Sequence, residues 1–482
     1  MNRLVIVSNR LPVTVTGAGH DYKLTTSSGG LVAALRPIIR QHKGSWVGWT
    51  GTEDDSAIKN FLRLNGSPDG YRLVPVFLSR EERRGFYCGF CNEIVWPLFH
   101  DLQSRCNFDP TYWRKYVEVN SRFAEVVCSE VAHADSIWVH DYHLMLQGRL
   151  LRERLDRNRL KYFHHIPFPH PDVFEKLPWR VDILESMLGF GEIAFQTIRD
   201  RRNFIACVRR LLPEVQVKRT GGLFSTTYGK EETLIGHFPV GIDFEEIREL
   251  ALEREVILGT QKIRNSLGAC HVVLGVDRLD YTKGIPEKLR AFRSLLKNCP
   301  ELRGEITLIQ IVVPSREDIP RYQELKRQVE LLVSEINGQF GEPGWTPVHY
   351  LHRHLSRADL IAYYCAAGIA LITPLKDGMN LVAKEFCASR VKGDGLLILS
   401  EFAGAASELR SGALLVNPYD TEAVAAAIYE AVHMDDAGVR ERMRRMRRQL
   451  RTHNVYRWCA RALSRDKLSR KKYVEMRIAM EV

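Results

Sequence analysis

No stretch of this chain approaches 18 uninterrupted apolar residues, which excludes a membrane-spanning helix. The apolar part of Met1-Asn-Arg-Leu-Val-Ile-Val-Ser8 is too short for a secretion signal and reads as a first strand, so the expected location is cytoplasmic. Cysteine is scattered: the ten present mostly sit among apolar neighbours, the setting of free buried thiols. One pair, Cys88-Gly-Phe-Cys91, has zinc or redox spacing, but no second Cys-x-x-Cys and no His-x-x-x-His exists to complete a tetrahedral site. No two aspartates stand at i, i+2, so an Asp-x-Asp pair of the kind that brackets a divalent ion is missing. Internal repeats and low-complexity linkers are missing as well, and no metal is expected.

The net charge of +11 raises a nucleic-acid reading, which the distribution of charge opposes. Between Arg440 and Lys472 stand 14 Lys or Arg against only Glu441 and Asp466, enough to account for the whole excess and leave the remainder near neutral. The only aromatics there, Tyr456 and Trp458, are too few for a base-stacking surface, so the run reads as the solvated face of one or two helices.

With 45% hydrophobic and 26% charged residues, the 482-residue chain is long enough for two full cores. Strand-like apolar runs alternate with helical stretches: 4–7, 136–139, 162–165, 272–276, 306–311, 369–373, 396–399 and 413–416. That alternation predicts an α/β fold with parallel sheets covered on both faces, whose ligands lie at the carboxyl ends of the strands. Arg10, Asp141, His165, Arg278, Arg316 and Asp377 each fall just past such a run. A break with Pro and Gly at Phe238-Pro-Val-Gly-Ile-Asp243 divides the chain into 1–240 and 241–455, with 456–482 as a basic C-terminal segment.

Two segments of the second half carry the most chemistry. Gly275-Val-Asp-Arg-Leu-Asp-Tyr-Thr-Lys-Gly284 presents Arg278 and Lys283 after a buried strand. Pro374-Leu-Lys-Asp-Gly-Met-Asn-Leu-Val-Ala-Lys-Glu385 leads from another strand into a helix. The amides of Gly378, Met379, Asn380 and Leu381, with Val382 beside them, are expected at that helix N-terminus, and Glu385 about two turns along. Cations, free amides and a carboxylate for a ribose diol describe a nucleotide diphosphate pocket.

This pair of segments resembles the trehalose-6-phosphate synthase family of retaining glycosyltransferases. Val5-Ile-Val-Ser-Asn-Arg10, Ser28-Gly-Gly30, Trp96-Pro97, Trp138-Val-His-Asp-Tyr-His-Leu144, His165-Ile-Pro-Phe-Pro169, Ser400-Glu-Phe-Ala-Gly-Ala405 and Val416-Asn-Pro-Tyr-Asp420 resemble the family's signatures too, in its order. The resemblance implies the GT-B fold, two doubly wound Rossmann-like domains facing across a cleft. In it the N-terminal domain takes the acceptor, the C-terminal domain the nucleotide sugar, and a last helix crosses back, a part Tyr456–Leu463 could play.

The reaction implied is transfer of glucose from a nucleotide sugar, UDP-glucose in the first instance, to glucose 6-phosphate with retained configuration. Without Asp-x-Asp, Arg278 and Lys283 are expected to meet the leaving diphosphate's charge directly, with no metal or other cofactor. A carboxylate nucleophile would have to be Asp141 or Asp377. The family is instead read as reacting on the front face, the leaving phosphate taking the acceptor's proton. Asp377 then binds donor hydroxyls, Glu385 the ribose, and His165 lies against the donor glucose. The resemblance also assigns Tyr87, Trp96, Asp141, Arg10 and Arg316 to the acceptor, the two arginines meeting its 6-phosphate, and Gly29 and Gly30 to a loop approaching the donor.

Three readings compete with this one. Residues Phe163–Arg180 also resemble glucosylglycerol-phosphate synthases, whose acceptor is glycerol 3-phosphate; Val7-Ser-Asn-Arg-Leu-Pro12, Tyr87 and Trp96 favour the trehalose enzyme. A catalytically silent regulatory homologue is opposed by the complete set of Arg278, Lys283, Asp377, Glu385 and His165. A nucleic-acid binder would make all the motifs incidental. The nucleobase and the oligomeric state are not legible, and a homo-oligomer is allowed.

Overall fold

The computed structural model describes residues 3–463 apart from 17–21, 27–28, 43, 53–55, 66–69, 133–134, 221, 230, 269–270 and 317–318. Ser28 and the basic segment beyond Leu463 therefore lie outside the described residues. The chain divides into two compact units, one of Met1–Val240 joined by the segment from Trp458, the other of Gly241–Arg457.

The strands of the first unit are β1 (Leu4–Arg10), β2 (Val13–Thr16), β3 (Lys23–Thr26), β4 (Ser45–Trp49), β5 (Arg72–Val76), β6 (Ser136–His140), β7 (Leu160–His164), β8 (Glu192–Phe195), β9 (Gln216–Thr220), β10 (Leu223–Tyr228) and β11 (Glu231–His237). Nine form one sheet in the order β5-β4-β1-β6-β7-β8-β11-β10-β9, while β2 and β3 pair separately. Pairing is parallel from β5 to β11, with Val7 opposite Val139, and antiparallel only at β9, β10 and β11. Leu4-Val-Ile-Val7 is buried on both faces, as a central parallel strand requires.

The second unit holds β12 (His271–Arg278), β13 (Ile306–Val313), β14 (Val348–His352), β15 (Ile369–Ile372), β16 (Leu396–Ser400) and β17 (Leu414–Val416), all parallel in the order β14-β13-β12-β15-β16-β17. Numbered from its own first strand, each sheet runs 3-2-1-4-5-6, the doubly wound Rossmann order, with one more parallel strand and two antiparallel ones added to the first. Two such α/β units give the GT-B fold class. The strand order reverses between β1 and β6 in the first unit and between β12 and β15 in the second, and ligands of such sheets bind at that reversal.

Every strand-like run named from sequence is a strand; β2–β5, β8–β11 and β14 were not named. β5 carries Pro75, tolerable because the strand is at an edge, and β9 is too polar to read as an apolar run. At the join, Gly241 lies so close to Asn454 that a Cβ would meet its carbonyl carbon at 2.3 Å, so that glycine serves packing. In the helix Val455–Leu463, Tyr456 Oη donates to Asp243 Oδ2 at 2.6 Å. The Trp458 ring packs tilted against that of Trp138, their centroids 5.0 Å apart, and the Ala462 carbonyl accepts from Lys161 Nζ at 2.9 Å. In the basic helix Asp436–Thr452, Arg444 and Arg445 pair with Glu441, Arg451 pairs with Glu245, and Arg447 donates to the carbonyls of Cys387 and Ala388. Arg444, Arg445 and Arg451 are each more than half exposed, so most of this helix's charge lies on a solvated face.

Candidate active site

In the second unit the reversal point is where both chemistry-bearing segments meet. Arg278 is the exposed last residue of β12, and Lys283 ends the single turn Tyr281–Lys283 that follows. Gly284, at φ 64°, begins the helix Ile285–Asn298; a Cβ there would lie 2.6 Å from the Thr373 carbonyl oxygen after β15. The amide of Leu375 donates to the Thr282 carbonyl at 2.8 Å. These contacts bring Lys283 Nζ to 2.6 Å from Asp377 Oδ2, which also accepts from Asn380 Nδ2 at 3.2 Å. The cation expected on phosphate and the carboxylate expected on sugar hydroxyls form one ion pair.

The helix after this segment begins later than the sequence suggests. It spans Leu381–Ser389 with Asn380 as its cap, in a left-handed conformation at φ 83°, its Oδ1 accepting from the Ala383 amide. Gly378 and Met379 precede the helix: the Met379 carbonyl accepts from the Ala405 amide at 2.7 Å and the Asp377 carbonyl from Gly404. Within the helix the first-turn amides left without a capping partner are those of Leu381 and Val382, and these carbonyl contacts do not engage the amides of Gly378, Met379 and Asn380. Glu385 stands just over one turn along instead of two. It is half-buried, accepts from Tyr364 Oη at 3.1 Å, and burial raises its pKa against the opposing charge of Arg357.

Below Arg278, Asp280 is fully buried and caps the turn by accepting from the Thr282 amide and hydroxyl at 3.0 and 2.9 Å. Burial alone would raise its pKa, yet Arg316, Arg278 and Lys283 outweigh it and hold the carboxyl below its ordinary range. Arg316, at φ 52°, pairs with Asp280 Oδ2 at 3.4 Å and donates to Tyr322 Oη. Asp280 lay inside the first motif and was passed over; the short Asp-x-Thr capping pattern was the available signal.

In the first unit Arg10 ends β1. Its guanidinium lies 4.6 Å from the Trp49 ring centroid, and Gly51, at φ 92°, leaves room for it: a Cβ there would fall 2.1 Å from a guanidinium nitrogen. Crowding by protein, and then the neighbouring charge of Arg83, lower the Arg10 pKa. Tyr87 packs between Trp49 at 5.9 Å and the parallel ring of His143 at 6.0 Å.

Tyr87 lies in a π-helix, Arg83–Val95, that runs directly into the α-turn Trp96–Phe99. Nine residues are two and a half turns of an α-helix, which would put Tyr87 and Trp96 on opposite sides. In an i→i+5 helix of about 4.4 residues per turn they fall near one face. Asn92 holds this winding, its Nδ2 donating to the Tyr87 carbonyl at 2.7 Å. Trp96 is buried, 5% exposed, against His100 and Tyr142. Gly29 and Gly30 are exposed at the start of the helix Gly30–His42, and a Cβ on Gly29 would meet nothing within 4 Å, so packing does not demand that glycine.

Asp141 follows β6 with φ 75° and ψ 167°, a region that costs a non-glycine residue about 1–3 kcal/mol. Its amide donates to the Phe163 carbonyl at 2.8 Å, and its Oδ1 accepts from the His165 amide at 3.2 Å. Among described residues only Asp101, Asp141, Arg316 and Asn380 have positive φ without being glycine, and the last three stand at expected site positions. Backbone strain is concentrated where sequence placed the chemistry.

His165 Nε2 is 3.0 Å from Nδ1 of the fully buried His140, and its Nδ1 is 3.4 Å from Gln196 Nε2. Because Gln196 Oε1 accepts the Val240 amide at 3.0 Å, the Gln196 amide donates to His165 Nδ1. The proton then sits on His165 Nε2 and is donated to His140, an assignment that follows from the network. Burial drives both histidines neutral, His165 down to about 3. His164 is buried and meets Tyr162 Oη at 3.0 Å, away from this chain of bonds.

The family model for glycosyltransferase family 20 matches residues 2–467. The trehalose-6-phosphate synthase of Mycobacterium bovis is 41% identical over 463 residues, 94% of this chain and 92% of that protein. That of Mycolicibacterium vanbaalenii is 40% identical over 477 residues, 98% and 96% of the two. Among solved structures, the UDP-forming alpha,alpha-trehalose-phosphate synthase from Burkholderia xenovorans in complex with glucose-6-phosphate is 32% identical with a TM-score of 0.87, over 98% of this chain and 99% of that one. The E. coli protein bound with UDP-2-fluoro glucose is 33% identical with a TM-score of 0.85, over 95% and 97%. A whole-length family match and relatives of this identity, on two Rossmann-ordered units, establish that the chain belongs to glycosyltransferase family 20.

Proposed function

We propose that this enzyme makes α,α-trehalose 6-phosphate by moving glucose from UDP-glucose to the anomeric hydroxyl of glucose 6-phosphate with retention. The observation that carries the reading is the cluster of Arg278, Lys283, Asp377 and the Leu381–Val382 amides at the strand-order reversal of the second unit, where a nucleotide site is expected. Relatives named as trehalose-6-phosphate synthases, and solved structures named as UDP-forming trehalose-phosphate synthases, one of them with glucose 6-phosphate, support it.

The bond from the sugar's C1 to the diphosphate oxygen breaks, the acceptor oxygen bonds C1 on the same face, and the acceptor's proton passes to a leaving phosphate oxygen. Arg278 and Lys283 meet the charge that develops on the diphosphate, and the helix N-terminus adds its partial positive charge. Asp377 binds the donor sugar, and Glu385, pre-set by Tyr364, takes the ribose diol. Arg10 on Trp49 serves the acceptor phosphate, Tyr87 and Trp96 its ring, and Asp141 its hydroxyls. No metal takes part. The free thiols among the described residues suit the reducing cytoplasm, which is the location we assign.

Proton NMR of the product from UDP-glucose and glucose 6-phosphate tests the reading. An α,α-1,1-linked disaccharide phosphate is expected; a β-linked product, or free glucose alone, contradicts it.

A further inference from the structure

We infer that Asp277 and Lys288 are positioning residues for Arg278 and Lys283, an inference that rests on the role given above to those two cations. Asp277 Oδ2 accepts from Lys288 Nζ at 2.5 Å and from Gln310 Nε2 at 3.0 Å. The side chains of Lys288 and Asp277 are 0% and 1% exposed. Gly275 stands two residues earlier on the same face of β12, and a Cβ there would lie 2.3 Å from Gln310 Oε1 and 3.0 Å from Lys288 Nζ. The glycine of the Gly275-Val-Asp-Arg278 motif is therefore the slot into which a buried ammonium fits.

The placement of this pair points to function. Asp277 is the residue before Arg278, and Lys288 lies in the first turn of the helix after Lys283, its amide donating to the Gly284 carbonyl at 2.9 Å. The ion pair joins the two ends of the segment that carries both cations. Within that ring Asp280 fixes the turn, and successive strand residues face opposite sides, so Asp277 points inward where Arg278 points out. A buried ion pair is poorly explained by stability, since well-packed apolar residues of similar volume usually do as well. What the pair adds is direction: a carboxylate receiving two donors admits one arrangement of strand end and helix start.

The test compares wild type with Asp277→Leu/Lys288→Met, which leaves no unpaired charge, and with the near-isosteric Gln310→Met; Arg278→Ala serves as control. Thermal midpoint, kcat and acceptor KM are measured for each. The double variant is expected to keep its midpoint and acceptor KM while kcat falls about ten- to a hundredfold, as for a misplaced catalytic group. Gln310→Met should show a smaller fall in kcat at an unchanged midpoint, and it carries the test alone if the double variant does not fold. Wild-type kcat in a folded double variant or in Gln310→Met, with Arg278→Ala impaired, overturns the positioning role alone. Normal turnover in Arg278→Ala overturns instead the role of the cations on which it rests.

Discussion

Lys283 Nζ lies 2.6 Å from Asp377 Oδ2, and this bond joins the segments after β12 and β15. It makes the two residues interdependent. Lys283→Ala should lower kcat by about 10²–10³, the usual cost of one donor to developing charge, with little change in the thermal midpoint. Equal turnover in the variant and the wild type would return Lys283 to the role of a structural cation.

Asp377→Asn should have opposite effects on two measurements. Turnover should fall because the donor sugar loses its carboxylate. Binding of UDP should tighten by about tenfold, or ~1.4 kcal/mol, because the Lys283 charge is released to the diphosphate. Calorimetric titration with UDP reads this directly, and unchanged or weaker binding contradicts the coupling.

The His140–His165 pair predicts how stability depends on pH. His165 has a folded pKa of about 3 against an ordinary 6.5, so the unfolded chain binds more protons between those values. Its contribution is fully present above about pH 6.5 and is lost as pH falls towards 3. The thermal midpoint should decline across that window, and His165→Asn should flatten the decline. A variant that tracks wild type at every pH removes the histidine pair from the account.

Transfer should survive EDTA. The sequence has no Asp-x-Asp, and among the described residues no group of three His, Cys, Asp or Glu side chains is placed to hold a metal ion. Activity that vanishes on chelation and returns with Mg²⁺ or Mn²⁺ would show that Arg278 and Lys283 do not carry the leaving charge by themselves.

Much of this was legible in the sequence. The central strands are continuous apolar runs because both their faces are covered, and the residues just past them inherit the chemistry. The polar strand β9 was not legible because it lacks a buried face to pattern, and the edge strand β5 because Pro75 interrupts it between the buried Leu73 and Val76. The start of the helix at Leu381 was missed because Asn380 takes a left-handed cap that spacing does not reveal. Likewise Tyr87 and Trp96 are nine apart, a spacing that makes sense only once the π-winding is seen. The coupling of Lys283 to Asp377 crosses 94 residues and depends on the adjacency of β12 and β15, which no local pattern encodes.

That π-winding gives a prediction about the acceptor. Asn92→Ala removes the side-chain bond to the Tyr87 carbonyl and lets the segment relax towards α-helical winding. The KM for glucose 6-phosphate should rise about tenfold, the size of one or two lost hydrogen bonds, while slow hydrolysis of UDP-glucose is unchanged. Loss of hydrolysis in parallel would mean that the segment serves the fold as a whole.

The most direct test of the central claim is a competition assay with UDP-glucose as donor and equal glucose 6-phosphate and glycerol 3-phosphate as acceptors, resolving products by mass. The account predicts trehalose 6-phosphate as the dominant product, with Tyr87→Ala lowering that yield and leaving slow hydrolysis of UDP-glucose intact. A wild-type enzyme that makes chiefly glucosylglycerol phosphate would contradict it.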